Sequence, residues 1–274
     1  MSPFLRHIAA CHSAVLPGGR HAVLIGAAQI GWASPELAAA LAARPGVAIG
    51  PHRVMLDHAA DLPGIARALS DRGLFPWRHE AFDVRATIDG AVLSTIDRGA
   101  VPAFGILAQG VHLNGLVERA GGLHLWVARR AATKPVDPGR LDHLVAGGMP
   151  AGLSASETLA KEAAEEAAIP AALIAAALPV ARLAYAMATP EGLRRDVLHC
   201  FDLVLPESFT PRPVDGEVES FTLWPIGRAL EAVRDTEDFK FNVNLALIDL
   251  FIRHRLIGGA EAATLRAALS GRTG

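Results

Sequence analysis

The hydrophobic positions change their rhythm along the chain, and the changes mark its elements. Residues 35–43 place apolar side chains at helical spacing, with Ser34 as an N-cap and Pro35 at the first helical position. Residues 47–55 alternate as an extended run, 62–72 return to helical spacing that stops at Gly73, and 91–94 read as a short strand. Two β-prone runs, 111–117 and 123–127, flank Gly121-Gly122 and predict a hairpin. A polar loop with Pro135, Pro138 and Gly139 follows, then a short apolar strand, 144–148, that breaks at Gly147-Gly148.

The strongest helical signal spans 155–168. Ser154 caps it and Glu157, three residues on, completes a capping box. Beyond it, 197–205 and 218–224 read as strands, and 226–234 and 241–255 as helices. The mixture predicts a two-domain α/β protein divided near residue 109, with 1–109 as an accessory unit and 110–274 as the main one.

Composition narrows the function classes. The net charge of −2 implies no nucleic-acid partner, and lysine occurs only at Lys134, Lys161 and Lys240 among 26 basic residues. The longest apolar stretch, 167–181, contains Pro170 and Pro179 and is too short to span a bilayer. Two distant cysteines, Cys11 and Cys200, make neither a disulfide framework nor a zinc site and read as free thiols. The expectation is a soluble, cytoplasmic protein with no membrane partner; its oligomeric state is not legible.

The chemistry concentrates in Lys161-Glu162-Ala163-Ala164-Glu165-Glu166. Positions i, i+3 and i+4 share a helix face, so Glu162, Glu165 and Glu166 point the same way. Three carboxylates on one face repel unless something neutralises them; an Ala/Glu-rich solvated face is the bland alternative. Mg2+ or Mn2+ would neutralise them, and the Gly147-Gly148 loop upstream leaves room beside them. Lys161 is four residues from both Glu157 and Glu165 and can pair with either. Asp215-Gly216-Glu217 offers a turn, or a further carboxylate. Residues 26–32 lack the spacing of a nucleotide-binding loop, and no G-x-S-x-G occurs.

The stretch 147–169 resembles a Nudix box. Gly147 matches its opening glycine, Lys161 stands where the box has Arg, Glu162, Glu165 and Glu166 match its glutamates, and Ile169 matches its closing aliphatic residue. Leu153 replaces the first Glu and Ala168 the second Gly. The runs Trp77-Arg78-His79-Glu80, 110–115, 138–142, 145–148, 239–242 and 252–254 resemble the thiamine-pyrophosphokinase-related branch, which carries its own N-terminal domain. The resemblance implies a Nudix α/β/α sandwich behind an N-terminal α/β accessory domain. It also implies hydrolysis of a small-molecule diphosphate, thiamine diphosphate or its oxidised analogues, with Mg2+ or Mn2+ on Glu162, Glu165 and Glu166. One Glu of the box, or Glu217, would act as base.

Four residues outside the box are candidate substrate contacts: His112 and Asn114, which alternation puts on one strand face; Arg129, for a phosphate; and Trp77, for a ring. Hydrolysis of another nucleoside-diphosphate-linked compound, or ligand binding without cleavage, are the competing readings.

Overall fold

The computed structural model describes residues 2–57 and 61–270. The chain runs α1 (Leu5–Cys11), β1 (His21–Ile25), β2 (Ala28–Ala33), α2 (Pro35–Leu41), β3 (Val47–Gly50), β4 (Arg53–Leu56), α3 (Leu62–Ser70), β5 (Ala81–Val84), β6 (Ser94–Asp97) and α4 (Val101–Phe104). Then follow β7 (Leu107–Arg119), β8 (Gly122–Arg130), β9 (Leu141–Asp142), β10 (Val145–Gly148), α5 (Ala155–Ala167), α6 (Ala171–Ile174), β11 (Leu178–Thr189), β12 (Gly192–Val204) and β13 (Val218–Pro225). Three helices close the chain: α7 (Ile226–Asp235), α8 (Val243–Arg253) and α9 (Gly259–Leu269).

The large sheet has the order β11-β12-β7-β8-β13, with β10 added to β7 and β9 to β8. Only β7 and β12 pair in parallel; their neighbours are antiparallel. One face buries Val111, Leu113 and Phe201 against Leu159, Ala163 and Ala167 of α5. The other packs Leu116, Leu125 and Leu198 under α7, α8 and α9. The result is an α/β/α sandwich, and alternation along β7 is what sends successive side chains to opposite helical layers.

The accessory part has a four-stranded sheet, β2-β1-β4-β3, and the β5–β6 hairpin. Leu37 and Leu41 of α2, Leu62 and Leu69 of α3, and Phe82, Ile96 and Phe104 share its core. Ser34 accepts from the Leu37 N–H, as its cap position requires. The extended run expected over 47–55 is two strands, because His52 takes a positive φ of 58° and turns the chain. The strand expected at 91–94 begins only at Ser94, and it pairs with β5, whose Phe82 and Val84 are buried while Ala81 and Asp83 are not.

The N-terminal helix does not follow the division at residue 109. Phe4, Ile8 and Cys11 pack into the core formed with α8 and α9, and Arg6 donates to the carbonyls of Val233, Arg234 and Thr236. Cys11 and Cys200 are buried free thiols, and burial pushes Cys11 up to about 12, where it is unreactive. Among the described residues no helix is long and apolar enough to cross a membrane.

Candidate active site

The helix α5 starts on the expected capping box: Ser154 Oγ accepts from the Glu157 N–H, and Glu157 accepts from the Ser154 N–H at 2.9 Å. Burial of Leu159, Ala163 and Ala167 then fixes its rotation. Glu162 and Glu166 turn toward β10, and Glu165 stays on the solvent side. Glu166 is 6% exposed, and its Oε2 accepts from the Ala146 N–H at 3.0 Å. A side chain at Gly147 would place its Cβ 2.5 Å from Glu162 Cδ, so the missing side chain is the space Glu162 occupies.

Burial raises the carboxyl of Glu162 and pushes that of Glu166 up to about 8; the latter also faces the charges of Asp142, Glu162 and Glu217. Lys161 spans Glu162 and Glu165 at 3.1 and 2.7 Å, so one ammonium serves two carboxylates. Its alternative partner, Glu157, is occupied by the cap. Three carboxylates against one lysine leave a deficit of positive charge, in a set of hard oxygen donors beside a glycine-lined recess. Oxygen donors of this kind suit Mg2+ or Mn2+, which would have to draw Glu165 in from the solvent side, since the three carboxylates do not converge on one point.

A second polar cluster lies beside it. Asp142 receives Arg130 Nη1 at 2.6 Å and the His143 N–H at 2.8 Å, with Lys240 at 3.9 Å. His143 and His112 share a hydrogen bond between their Nδ1 atoms at 2.9 Å. His112, Asp142 and His143 bring ligand atoms within 4.8 Å of one another. The three could offer a cation their ligand atoms, but Arg130 and Lys240 beside Asp142 oppose a further positive charge. Burial opposes ionisation of Asp142, but Lys240 and Arg130 outweigh it and hold the carboxyl down at about 2. This is a buried ionic network that supports the site.

The family model for the NUDIX domain matches residues 110–243. Across those residues the chain is similar to the NUDIX domain. It is 41% identical over 202 residues to Nudix hydrolase 20, chloroplastic, of Arabidopsis thaliana, a match covering 73% of this chain and 54% of that one. Nudix hydrolase 24, chloroplastic, of the same plant is 41% identical over 194 residues, covering 70% and 53%. An uncharacterised protein of Saccharomyces cerevisiae is 32% identical over 217 residues, covering 74% and 62%. The chain thus spans about half the length of the two plant relatives.

The substrate-contact candidates fall in different places around the Nudix helix. His112 and Asn114 do share a face, but they are 4% and 1% exposed and held by protein partners. His112 is bonded to His143, and Asn114 Nδ2 donates to Asp202 Oδ1 at 2.8 Å, beneath Arg253 of α8. Strand alternation gives the face and cannot tell a lined pocket from a packed interior. Arg129 is exposed and donates to the Gly139 carbonyl, whereas Arg130 is the buried partner of Asp142. Trp77 packs on the accessory core with the Arg67 guanidinium 5.0 Å from its ring centroid. Glu217 is held by Lys134; burial raises its carboxyl, and that lysine brings it below the usual range.

The structure adds residues that the pattern did not single out. The accessory hairpin is stitched to the loop that enters the Nudix helix: Ala151 N–H donates to the Ala81 carbonyl at 2.7 Å and Gly152 N–H to Asp83 at 3.2 Å. No sequence signal links positions 70 residues apart.

Proposed function

We propose that this chain is a divalent-metal-dependent hydrolase of a diphosphate linkage, acting on thiamine diphosphate or its oxidised analogues to give the monophosphate. The observation that carries the reading is the placement of Glu162 and Glu166 against the backbone of Ala146 and Gly147, with Glu165 open to solvent. Glu162, Glu165 and Glu166 would hold Mg2+ or Mn2+, which lowers the pKa of a coordinated water and screens charge on the leaving phosphate.

The protein's own groups do the rest. The Ala146 N–H aims Glu166, the recess at Gly147 aims Glu162, and Lys161 keeps Glu162 and Glu165 from repelling each other. Glu165, half exposed, is the box carboxylate best placed to take a proton from an attacking water. Glu217 stays ionised at neutral pH through Lys134 and is the second candidate for that role. Arg129 is exposed, with one guanidinium nitrogen on the Gly139 carbonyl, and its remaining N–H groups would meet a terminal phosphate.

The thiamine preference rests on the runs 77–80, 138–142 and 239–242, which lie outside the box. A metal face sees only phosphate, so discrimination has to come from such groups. The test is a kinetic panel at fixed Mg2+. The expected result is a higher kcat/KM for a thiamine diphosphate analogue than for ADP-ribose, with Arg129→Ala narrowing the gap through weaker binding. ADP-ribose as the better substrate would leave diphosphate hydrolysis standing and remove the thiamine assignment. Mg2+ binding with no turnover of any diphosphate would make the chain a binding module.

A further inference from the structure

The backbone of the run Trp77-Arg78-His79-Glu80 is held by a set of specific hydrogen bonds. Asp97, 4% exposed at the end of β6, accepts from the N–H groups of Arg78, Glu80 and Gly99 at 2.9, 3.3 and 2.8 Å. The Arg98 N–H donates to the Glu80 carbonyl at 2.8 Å. His79 takes a φ of 59°, a left-handed conformation that a non-glycine residue rarely adopts. The effect of these bonds is to fix Glu80 and Arg98 side by side. Their side chains meet at 2.7 Å.

The pair stands at the Nudix site. The Arg98 guanidinium lies 5.8 Å from the centroid of Phe82. Phe82 in turn covers Gly148 so closely that a Cβ there would be 2.6 Å from its Cζ, and the neighbouring Gly147 is filled by Glu162. The path Arg98–Phe82–Gly148–Gly147–Glu162 is therefore continuous contact across the two parts of the chain. The charges agree with it: Glu80 acts on Glu162, and Arg98 on Glu217.

Arg98 is half exposed, and an ion pair at such a site stabilises only weakly. Its guanidinium can leave Glu80 at small cost for an anion that takes both prongs of the fork. We propose that Arg98 is a substrate-binding residue supplied by the accessory part, which grips a phosphate of the diphosphate, and that Glu80 holds the guanidinium in position before substrate arrives. The proposal rests on the carboxylate helix being a diphosphate site. It gives the accessory part a direct contact with the substrate, in addition to its packing role.

The test is calorimetric titration of the full chain with imidodiphosphate in the presence of Mg2+. This probe has two phosphates, no base or ring, and no bond the enzyme cuts readily, so binding is read without turnover. Arg98→Ala is expected to weaken binding by about tenfold or more, the scale of a charged hydrogen bond. Arg98→Lys should recover part of the loss, and affinity for Mg2+ alone should not change. Arg234→Ala is the control for total charge, since Arg234 is an exposed arginine on α7 paired with Asp235. In turnover assays Arg98→Ala should raise KM more than it lowers kcat.

Arg98→Ala binding as tightly as wild type overturns the proposal, as does an equal loss in Arg234→Ala, or no imidodiphosphate binding by the wild type. Imidodiphosphate binding that depends on Arg98, without hydrolysis of any diphosphate, keeps the Arg98 contact and removes the hydrolase reading alone.

Discussion

Glu162 occupies the volume that a side chain at Gly147 would need: a Cβ there would come within 2.5 Å of Glu162 Cδ and 2.7 Å of its Oε2. Gly147 has no positive φ, so the glycine is there for space and not for backbone freedom. Gly147→Ala should therefore fold, displace the Glu162 carboxylate, and reduce turnover by about tenfold or more, the scale of a misplaced catalytic group. Steady-state kinetics with a melting curve checks this. Full activity in a folded Gly147→Ala protein would show that Glu162 need not sit where the structure has it.

The helix α5 ends on Ala168 at φ 54°, and Ile169 N–H reaches back to the Ala163 carbonyl at 3.0 Å. That left-handed position is where the family's box has glycine, and alanine there carries about 1–2 kcal/mol of strain. The looser unfolded chain of a glycine variant returns part of the gain. Ala168→Gly is expected to stabilise by about 0.5–1 kcal/mol, read as a small rise in Tm with activity kept. A lower Tm would mean the strain is relieved in some other way.

His112 and His143 are buried, and burial lowers both, His143 to about 4. In the unfolded chain they titrate near 6.5. Their neutral forms therefore support the fold fully above about pH 6.5, and that support is lost as pH falls from 6.5 toward 4. Asp142, held at about 2, contributes its stability above about 3.8 and loses it only below that window. Glu166, pushed up to about 8, should lower Tm as pH rises through 7 to 8, and the two histidines should lower it as pH falls from 6.5 toward 4. His143→Gln should flatten the fall on the acid side by about one proton's share. An unchanged slope would show that His143 is not protonated on unfolding.

Three apolar residues of the N-terminal helix, Phe4, Ile8 and Cys11, lie in the core beneath α8 and α9. A fragment of residues 110–274 lacks them and exposes the surface they cover. At about 1.5–3 kcal/mol for each large apolar side chain, the loss is on the order of 5 kcal/mol. The fragment should melt at least about 10 °C below the full chain, or fail to show a cooperative transition. Equal melting temperatures would mean that α1 is an ornament.

Much of helix α5 was legible because its signals are local. The capping box, the glutamate spacing and the Gly147-Gly148 break all lie within 20 residues, and each constrains the backbone directly. The strand β11 was hidden: 167–181 is one apolar run with two prolines, and it divides into the short α6 and the start of an edge strand. Pro179 is tolerated there because the edge and its bulge need no N–H from it. The Arg130–Asp142–Lys240 network could not be read, since its members come from three segments and each looks like a surface charge alone. Glu80 and Arg98 are 18 residues apart and are brought together by Asp97, whose carboxylate does its work through backbone N–H groups that no residue pattern displays.

The most direct test is Mg2+-dependent turnover of thiamine diphosphate by the wild type and by Glu165→Gln, measured side by side at limiting Mg2+. Glu165 is half exposed, so the substitution leaves the core untouched and the melting temperature should hold. The expected result is magnesium-dependent release of the monophosphate by the wild type and a loss of about a hundredfold or more in the variant. Wild-type turnover retained by Glu165→Gln under limiting Mg2+ would contradict the assignment of the reaction to this helix.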